Sequence, residues 1–245
     1  FVPPGSRIVT GIPLHIFGSQ RAQHQISDVF RKALKAPAVA VLPQGFGALC
    51  LAISTNSALA QGRVALVDIG SRTTELICFS DGQYLNHESA GVVLGVGQVY
   101  TQVAQKLSSQ HQRPIDAYEV DWALREDKPI KIKGGVVERQ ALEALVQHYV
   151  RPLATRLHNE MTRLWKEGAP GIDHLLYCGG GSALLASYLG HFRDDYTILP
   201  ESQFTNAAGY LEYIRLTSTD QTRAQDQGAE DSPQGDASAQ KASHA

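Results

Sequence analysis

The sequence predicts an α/β protein, and three segments carry that prediction. Each is a short apolar run of strand-forming residues that ends in a polar or glycine-rich turn: 38–44, 63–79 and 174–185. Continuous apolar runs of this length suit strands buried on both faces, as in sheets flanked by helices. Between them lie segments with apolar residues at helical spacing, so strands and helices alternate along the chain.

Taken in order, a strand near residues 7–11 leads to a helix around 20–35, and a strand at 38–42 to a helix around 46–59. Two strands, 64–67 and 73–79, flank a turn after Asp68. Asp81-Gly82 is a hairpin turn that predicts a third strand near 84–88. Gly91, Gly95 and Gly97 precede an amphipathic helix in which Val96, Val99, Val103 and Leu107 share a face. A short helix is expected over 117–125, followed by a lysine-rich edge at Lys128, Lys131 and Lys133. The longest helix should run from Glu138 to about Lys166, bent or divided at Pro152. A strand at 174–178, a glycine turn and another helix complete the folded part.

Three turns hold the candidate chemistry. In Asp68-Ile-Gly-Ser-Arg-Thr-Thr-Glu75, the backbone N–H groups at Gly70 and Ser71 are open to a phosphate, and Asp68 could hold the water shell of Mg²⁺. The same residues would also make an ordinary turn begun by an aspartate. Gly179-Gly-Gly-Ser182 stands between a strand and a helix, where a ligand could lie against bare backbone near a helix N-terminus. Such a run also serves as a tight connection. Gln44, at the end of the 38–42 strand, could orient a water or simply bond locally.

In order and spacing these segments resemble the actin-like ATPases, in particular the plasmid-segregation actins of the ParM/StbA type, within the actin, Hsp70 and sugar-kinase superfamily. Ile8–Leu14 resembles the strand leading into that family's Gly/Thr-Leu-Pro segment, and Val41-Leu-Pro-Gln44 the segment that carries its water-polarising residue. Asp68–Glu75 is similar to the second phosphate loop, Gly179–Ser182 to the adenosine loop, and Ser202–Leu211 to the closing helix. The resemblance runs from about Ser6 to Leu216. It implies an actin-like fold of two ribonuclease-H-like halves with ATP in the cleft between them.

The roles implied are specific. Asp68 would hold hydrated Mg²⁺, while Gly70, Ser71 and Thr73 would contact the β- and γ-phosphates. Gln44 would orient the attacking water. Gly179, Gly180, Gly181 and Ser182 would pack against the adenosine. The family assembles into filaments and reaches DNA through an adaptor protein. Members of the superfamily open with a first phosphate loop, Asp-x-Gly-(Ser/Thr), yet no Asp-x-Gly stands upstream of Asp68. The expectation is therefore an actin-like fold with its N-terminal part truncated. Residues 1–60 would be the remainder of the N-terminal half, 61–219 the C-terminal half with the nucleotide loops, and 220–245 an acidic tail. Two alternatives accompany the filament-forming ATPase: a nucleotide-binding or scaffold module without turnover, and a small-molecule kinase. Gln44 is a poor general base for the kinase.

Composition agrees with a cytoplasmic globular protein. The chain is 43% apolar with a formal charge of −2, which provides a core and no bulk signal for nucleic acid or membrane. Cys50, Cys78 and Cys178 sit in apolar surroundings without metal spacing, so buried thiols are expected. No run of 18 apolar residues occurs. From Asp220 onward five acids face two bases, with no aliphatic or aromatic residue beyond alanine and one proline, which predicts disorder.

Overall fold

A computed structural model describes residues 3, 5–200 and 202–230. The first strand, β1 (Ile8–Ile12), leads through the single-turn α1 (Leu14–Phe17) into α2 (Gln20–Leu34). Ser19 caps α2 by accepting a hydrogen bond from the Ala22 N–H, which satisfies one of the orphan donors of its first turn. β2 (Val39–Pro43) pairs in parallel with β1 as a separate two-stranded sheet. Next, α3 (Phe46–Thr55) ends at Asn56, whose side chain starts a 3₁₀ turn over Ser57–Ala60. The helix expected over 46–59 is therefore two pieces, split because an Asx cap competes with helix propagation.

The main sheet starts with β3 (Arg63–Ile69), which turns back into β4 (Thr74–Ser80). The strand expected near 84–88 is instead two short strands, β5 (Gln83–Tyr84) and β6 (Ala90–Val92), around a 3₁₀ turn at Asn86–Glu88. Ser89 holds the break, accepting from the Cys78 N–H and donating to the Leu85 carbonyl. α4 (Gly97–His111) and α5 (Ala117–Arg125) follow, then the hairpin β7 (Ile130–Ile132) and β8 (Gly135–Val137). Lys128 from the lysine-rich edge lies over the Trp122 ring at 4.7 Å, a cation–π contact.

α6 (Arg139–Trp165) runs through Pro152 undivided. Proline costs a helix interior about 3 kcal/mol. Here Val146, Val150, Leu153, Leu157 and Met161 keep one stripe buried on both sides of it, and that burial outweighs the break. β9 (His174–Cys178), α7 (Ser182–Leu189) and β10 (Tyr196–Ile198) lead to α8 (Thr205–Glu230). α8 carries helix into the segment read as a disordered tail. Its residues there are largely helix-tolerant types extending a helix already nucleated. The rest of that expectation, 231–245, lies outside the described residues.

Strand order in the main sheet is β10-β9-β3-β4-β5, with β6 also on β4. β3 is antiparallel to β4 and parallel to β9, so it is central and buried along most of its length. Alternation divides its side chains between two cores. Ala65, Val67 and Ile69 face a large cluster built with α4, α6 and α7. Val64 and Leu66 face a smaller one with Ala48, Leu49 and Ala52 of α3. By the same period Asp68 belongs to the α3 side, opposite Glu75 and beside Cys178. All three cysteines are free and buried, as expected.

α3 also packs closely against α8. A Cβ built on Gly209 would lie 1.6 Å from the Gly47 carbonyl oxygen, so the two backbones touch without side chains between them. Gly209→Ala should accordingly cost about 3 kcal/mol or more in denaturant unfolding, because a backbone carbonyl cannot step aside. Gly18→Ala, where nothing lies within 4 Å, should change stability by no more than about 0.5 kcal/mol.

Candidate functional site

The turn between β3 and β4 is closed by one bond of its own and held from both flanks. Gly70 donates to the Thr73 carbonyl at 2.9 Å, while the Val96 and Gly97 N–H groups bond the carbonyls of Gly70 and Ser71 at 3.1 and 2.8 Å. The Thr74 hydroxyl donates to the Leu94 carbonyl at 2.6 Å. Gly95 and Gly97 allow this approach, since a Cβ on either would fall within 2.7 Å of Ser71. On the other flank Gly181 donates to the Ile69 carbonyl at 2.9 Å, and Gly179 has a positive φ of 84°. A Cβ on Gly179 would meet the Ile69 carbonyl and the Asp68 carboxylate. Two glycine segments thus clamp the Asp68 turn from both sides.

That clamping leaves donors free. Among the described residues, the backbone N–H groups of Ser71, Arg72, Thr73 and Gly180 donate no hydrogen bond within the protein. Successive unpaired N–H groups in a turn form an anion-binding concavity. A cavity of about 410 Å³ opens beside the turn, lined by Ser71, Gly97, Tyr100, Tyr118, Arg125, Gly180, Gly181 and Gln203 among others. It shares Tyr100, Arg125 and Gly180 with a second cavity of about 500 Å³, which adds Arg139, Glu143, Gln147, Ser187 and Tyr188. Of the residues with free N–H groups, Ser71 and Gly180 line this groove, together with aromatic and charged side chains.

Asp68 lies outside that lining. It is 3% exposed, and burial pushes its carboxyl above the usual range against hydrogen bonds from Asn206 and Cys178. Glu75, across the ladder, is also buried, and burial raises it too, with the Asp68 charge adding to the effect. One Glu75 oxygen accepts the Leu14 N–H at 3.2 Å, and the other has no hydrogen-bond partner among the described residues. No three acidic, histidine or cysteine side chains gather to hold a metal among the described residues.

Of the residues expected from sequence, Ser71, Gly180 and Gly181 line the groove, while Gly70, Thr73 and Gly179 stand in the adjoining turns outside its lining. Ser182 opens α7 fully buried, its hydroxyl without a partner. Gln44 is half-buried at the start of α3, its N–H on the Ile12 carbonyl at 2.8 Å. What sequence reasoning missed is Asn206, in the first turn of α8. Its amide donates to Asp68 at 2.7 Å and accepts from the Gly45 and Ala48 N–H groups, each at 3.1 Å. The polar residues Tyr100, Tyr118, Arg125 and Gln203 also carried no local signal.

A sheet of this order, with a phosphate-type turn and a triple-glycine turn at neighbouring strand ends, defines the actin-like class of fold. Residues 66–191, just over half of the chain, match the family described as archaeal actin homologue MreB-like, C-terminal, and the chain belongs to that family. Three solved structures illustrate the fold. ParM in a 15-stranded filament from Clostridium botulinum is 20% identical with a TM-score of 0.69, over 85% of this chain and 66% of that one. The archaeal actin homologue Ta0583 in complex with ADP is 21% identical with a TM-score of 0.66, over 85% of this chain and 72% of that one. MreB 5 of Spiroplasma citri bound to AMPPNP is 15% identical with a TM-score of 0.66, over 90% of this chain and 72% of that one. The chain thus spans about two thirds of the length of these structures. No curated protein matches it. Among the described residues, no helix is long and apolar enough to cross a membrane.

The raised carboxyls fix a pH dependence. Their fold-favoured state is the protonated one, so the stability they contribute is complete below the ordinary carboxylate range near about 4 and is lost as pH rises through their higher folded values. Glu75→Gln keeps an oxygen for the Leu14 N–H and removes the buried charge. It should raise the melting temperature at pH 7 and flatten the fall in stability as pH rises above the ordinary carboxylate range, as read by thermal melts across a pH series.

Proposed function

We propose that this chain binds Mg²⁺–ATP and works as part of a filament-forming actin-like ATPase, in plasmid or other DNA segregation or in a bacterial cytoskeleton. The observation that carries the reading is the row of free N–H groups at 71–73 beside a groove bounded by Gly180 and Gly181. The phosphates would lie at the turn, with Gly70, Ser71 and Thr73 around them. The adenosine would lie along Gly179–Ser182 toward Tyr100 and Tyr188. Asp68 would hold the hydrated cation, and Gln44 would orient the attacking water. That the ParM neighbour forms a filament, and that Ta0583 and MreB 5 were solved with ADP and AMPPNP, supports self-association and nucleotide binding here. With a formal charge of −2, the chain would reach DNA through an adaptor protein rather than directly.

A second reading, a nucleotide-binding or scaffold module without turnover, draws on one observation. Asp68 is engaged by Asn206 and neither Asp68 nor Gln44 lines the groove. Hydrolysis separates the two readings: Gln44→Ala should lower ATP turnover at least tenfold while leaving binding intact if the ATPase reading holds. Turnover absent in the wild type would leave the scaffold, and turnover unchanged by Gln44→Ala would remove Gln44 from the hydrolytic role.

Binding itself has a clean test at Gly180. Its Cβ would find only the Gln203 side chain at 3.8 Å, so Gly180→Leu should fold with its stability changed by about 0.5 kcal/mol at most. The new side chain would enter the groove, and calorimetry should show Mg²⁺–ATP affinity at least tenfold weaker, about 1.4 kcal/mol. Equal affinity in the variant would place the nucleotide elsewhere.

A further inference from the structure

α5 has two faces with different tasks. Val120 and Ala123 are buried in the large core, and Asp116 fixes the first turn by accepting the Glu119 N–H at 2.8 Å. Arg113 adds two bonds to the Glu119 carboxylate, at 3.1 and 2.8 Å. The helix is therefore anchored. Its opposite face carries Tyr118, Asp121 and Arg125, at helical spacing, along the groove.

Arg125 stands where the two cavities of the groove join, since it lines both. The second cavity adds Arg139, and the two arginines are held differently. Arg139 is paired with two carboxylates, Asp127 at 2.8 Å and Glu143 at 2.6 Å. Arg125 is paired with Asp121 at 2.7 Å, one turn earlier on its own helix. Its side chain is half exposed, and an ion pair of that kind contributes little, so Arg125 can leave it for a stronger acceptor. Both charges also face Tyr100: burial raises its phenol, Asp121 adds to the effect and Arg125 opposes it. Ser71 and Gly180, which line the same cavity, have N–H groups that donate no hydrogen bond among the described residues. A guanidinium and two backbone donors thus border one space, and the carboxylate that lines it, Asp121, already holds the guanidinium.

We propose that Arg125 binds the phosphate chain of the nucleotide and that Asp121 is a positioning residue that holds it until the nucleotide arrives. A phosphate chain carries more charge than one carboxylate and accepts the guanidinium fork through two oxygens, so it wins the exchange. Asp121 competes with the ligand for Arg125 and thereby weakens binding of anything that carries phosphate. A neutral nucleoside gains nothing from the exchange, so the pair also discriminates between nucleotide and nucleoside. The inference rests on the reading of this groove as the nucleotide site.

Calorimetry on the full chain, with Mg²⁺–ATP and with adenosine, tests it. Arg125→Met should weaken Mg²⁺–ATP at least tenfold and leave adenosine within threefold. Asp121→Asn should tighten Mg²⁺–ATP at least threefold by releasing Arg125. The same substitution in the Arg125→Met background should change affinity less than twofold, because the residue it releases is gone. Both side chains are partly exposed, so all three variants should melt within about 2 °C of the wild type, which separates lost binding from lost fold. Equal losses for ATP and adenosine in Arg125→Met would make Arg125 a wall of the groove and overturn the exchange, as would unchanged ATP affinity. Tightening by Asp121→Asn that persists without Arg125 would be the plain removal of a repelling charge, and would overturn it too. Failure of the wild type to bind Mg²⁺–ATP, or binding indifferent to Gly180→Leu, would instead remove the groove as the nucleotide site and the exchange with it.

Discussion

A carboxylate near the end of a central strand, covered on both faces, can be kept only where hydrogen bonds replace the water it has lost. That constraint falls on Asp68, and much of the molecule is arranged around it. β9 lies alongside and brings Cys178; β4 lies opposite and brings Glu75. The strongest geometry comes from α8, which delivers the Asn206 amide across 138 positions of sequence. Because the same amide caps α3, the solvation of Asp68 and the placement of α3 are one problem. A helix whose first N–H donors are held by another element's side chain has its end anchored to that element.

The glycines serve the same economy of space at two levels. At the crossing of α3 and α8, Gly47 and Gly209 remove the side chains that would otherwise hold Asn206 too far from Asp68. At the turn, Gly95, Gly97, Gly179 and Gly181 let two chain segments grip β3–β4 through backbone bonds. The grip uses carbonyls of the turn as acceptors and leaves its N–H groups at 71–73 unused. A turn built this way is rigid and electropositive at once, the combination that anion recognition needs. Rigidity and vacancy of donors arise from the same contacts.

What could be read from the sequence was what is local. Strands of continuous apolar residues, the Asp68 turn and the triple glycine declare themselves within ten or so neighbours, and all stand within a residue or two of where their pattern put them. The misses have tertiary causes. Of the bend or division expected at Pro152, the division is absent, overridden by the buried stripe of α6. Ser89 divided a strand by bonding to β4. Asn206 gave no sign of its partners, since a side-chain amide early in a helix is unremarkable until the fold brings Gly45, Ala48 and Asp68 to it. Tyr100, Tyr118 and Arg125 line the groove from helices whose periodicity describes only their buried faces.

Burial also governs how Asp68, which stands outside the groove, can carry charge. With both carboxyls raised by burial, their surroundings favour a proton or an amide donor at Asp68 over a bare negative charge. On the proposed reading a divalent cation would reverse that preference, because it would stabilise the ionised forms of Asp68 and Glu75 and supply water donors for the Glu75 oxygen that has no partner among the described residues. Phosphate at the 71–73 turn would strengthen the cation's hold from the other side. Nucleotide and cation would then each lower the cost of the other, and the site would respond to the pair far more steeply than to either alone.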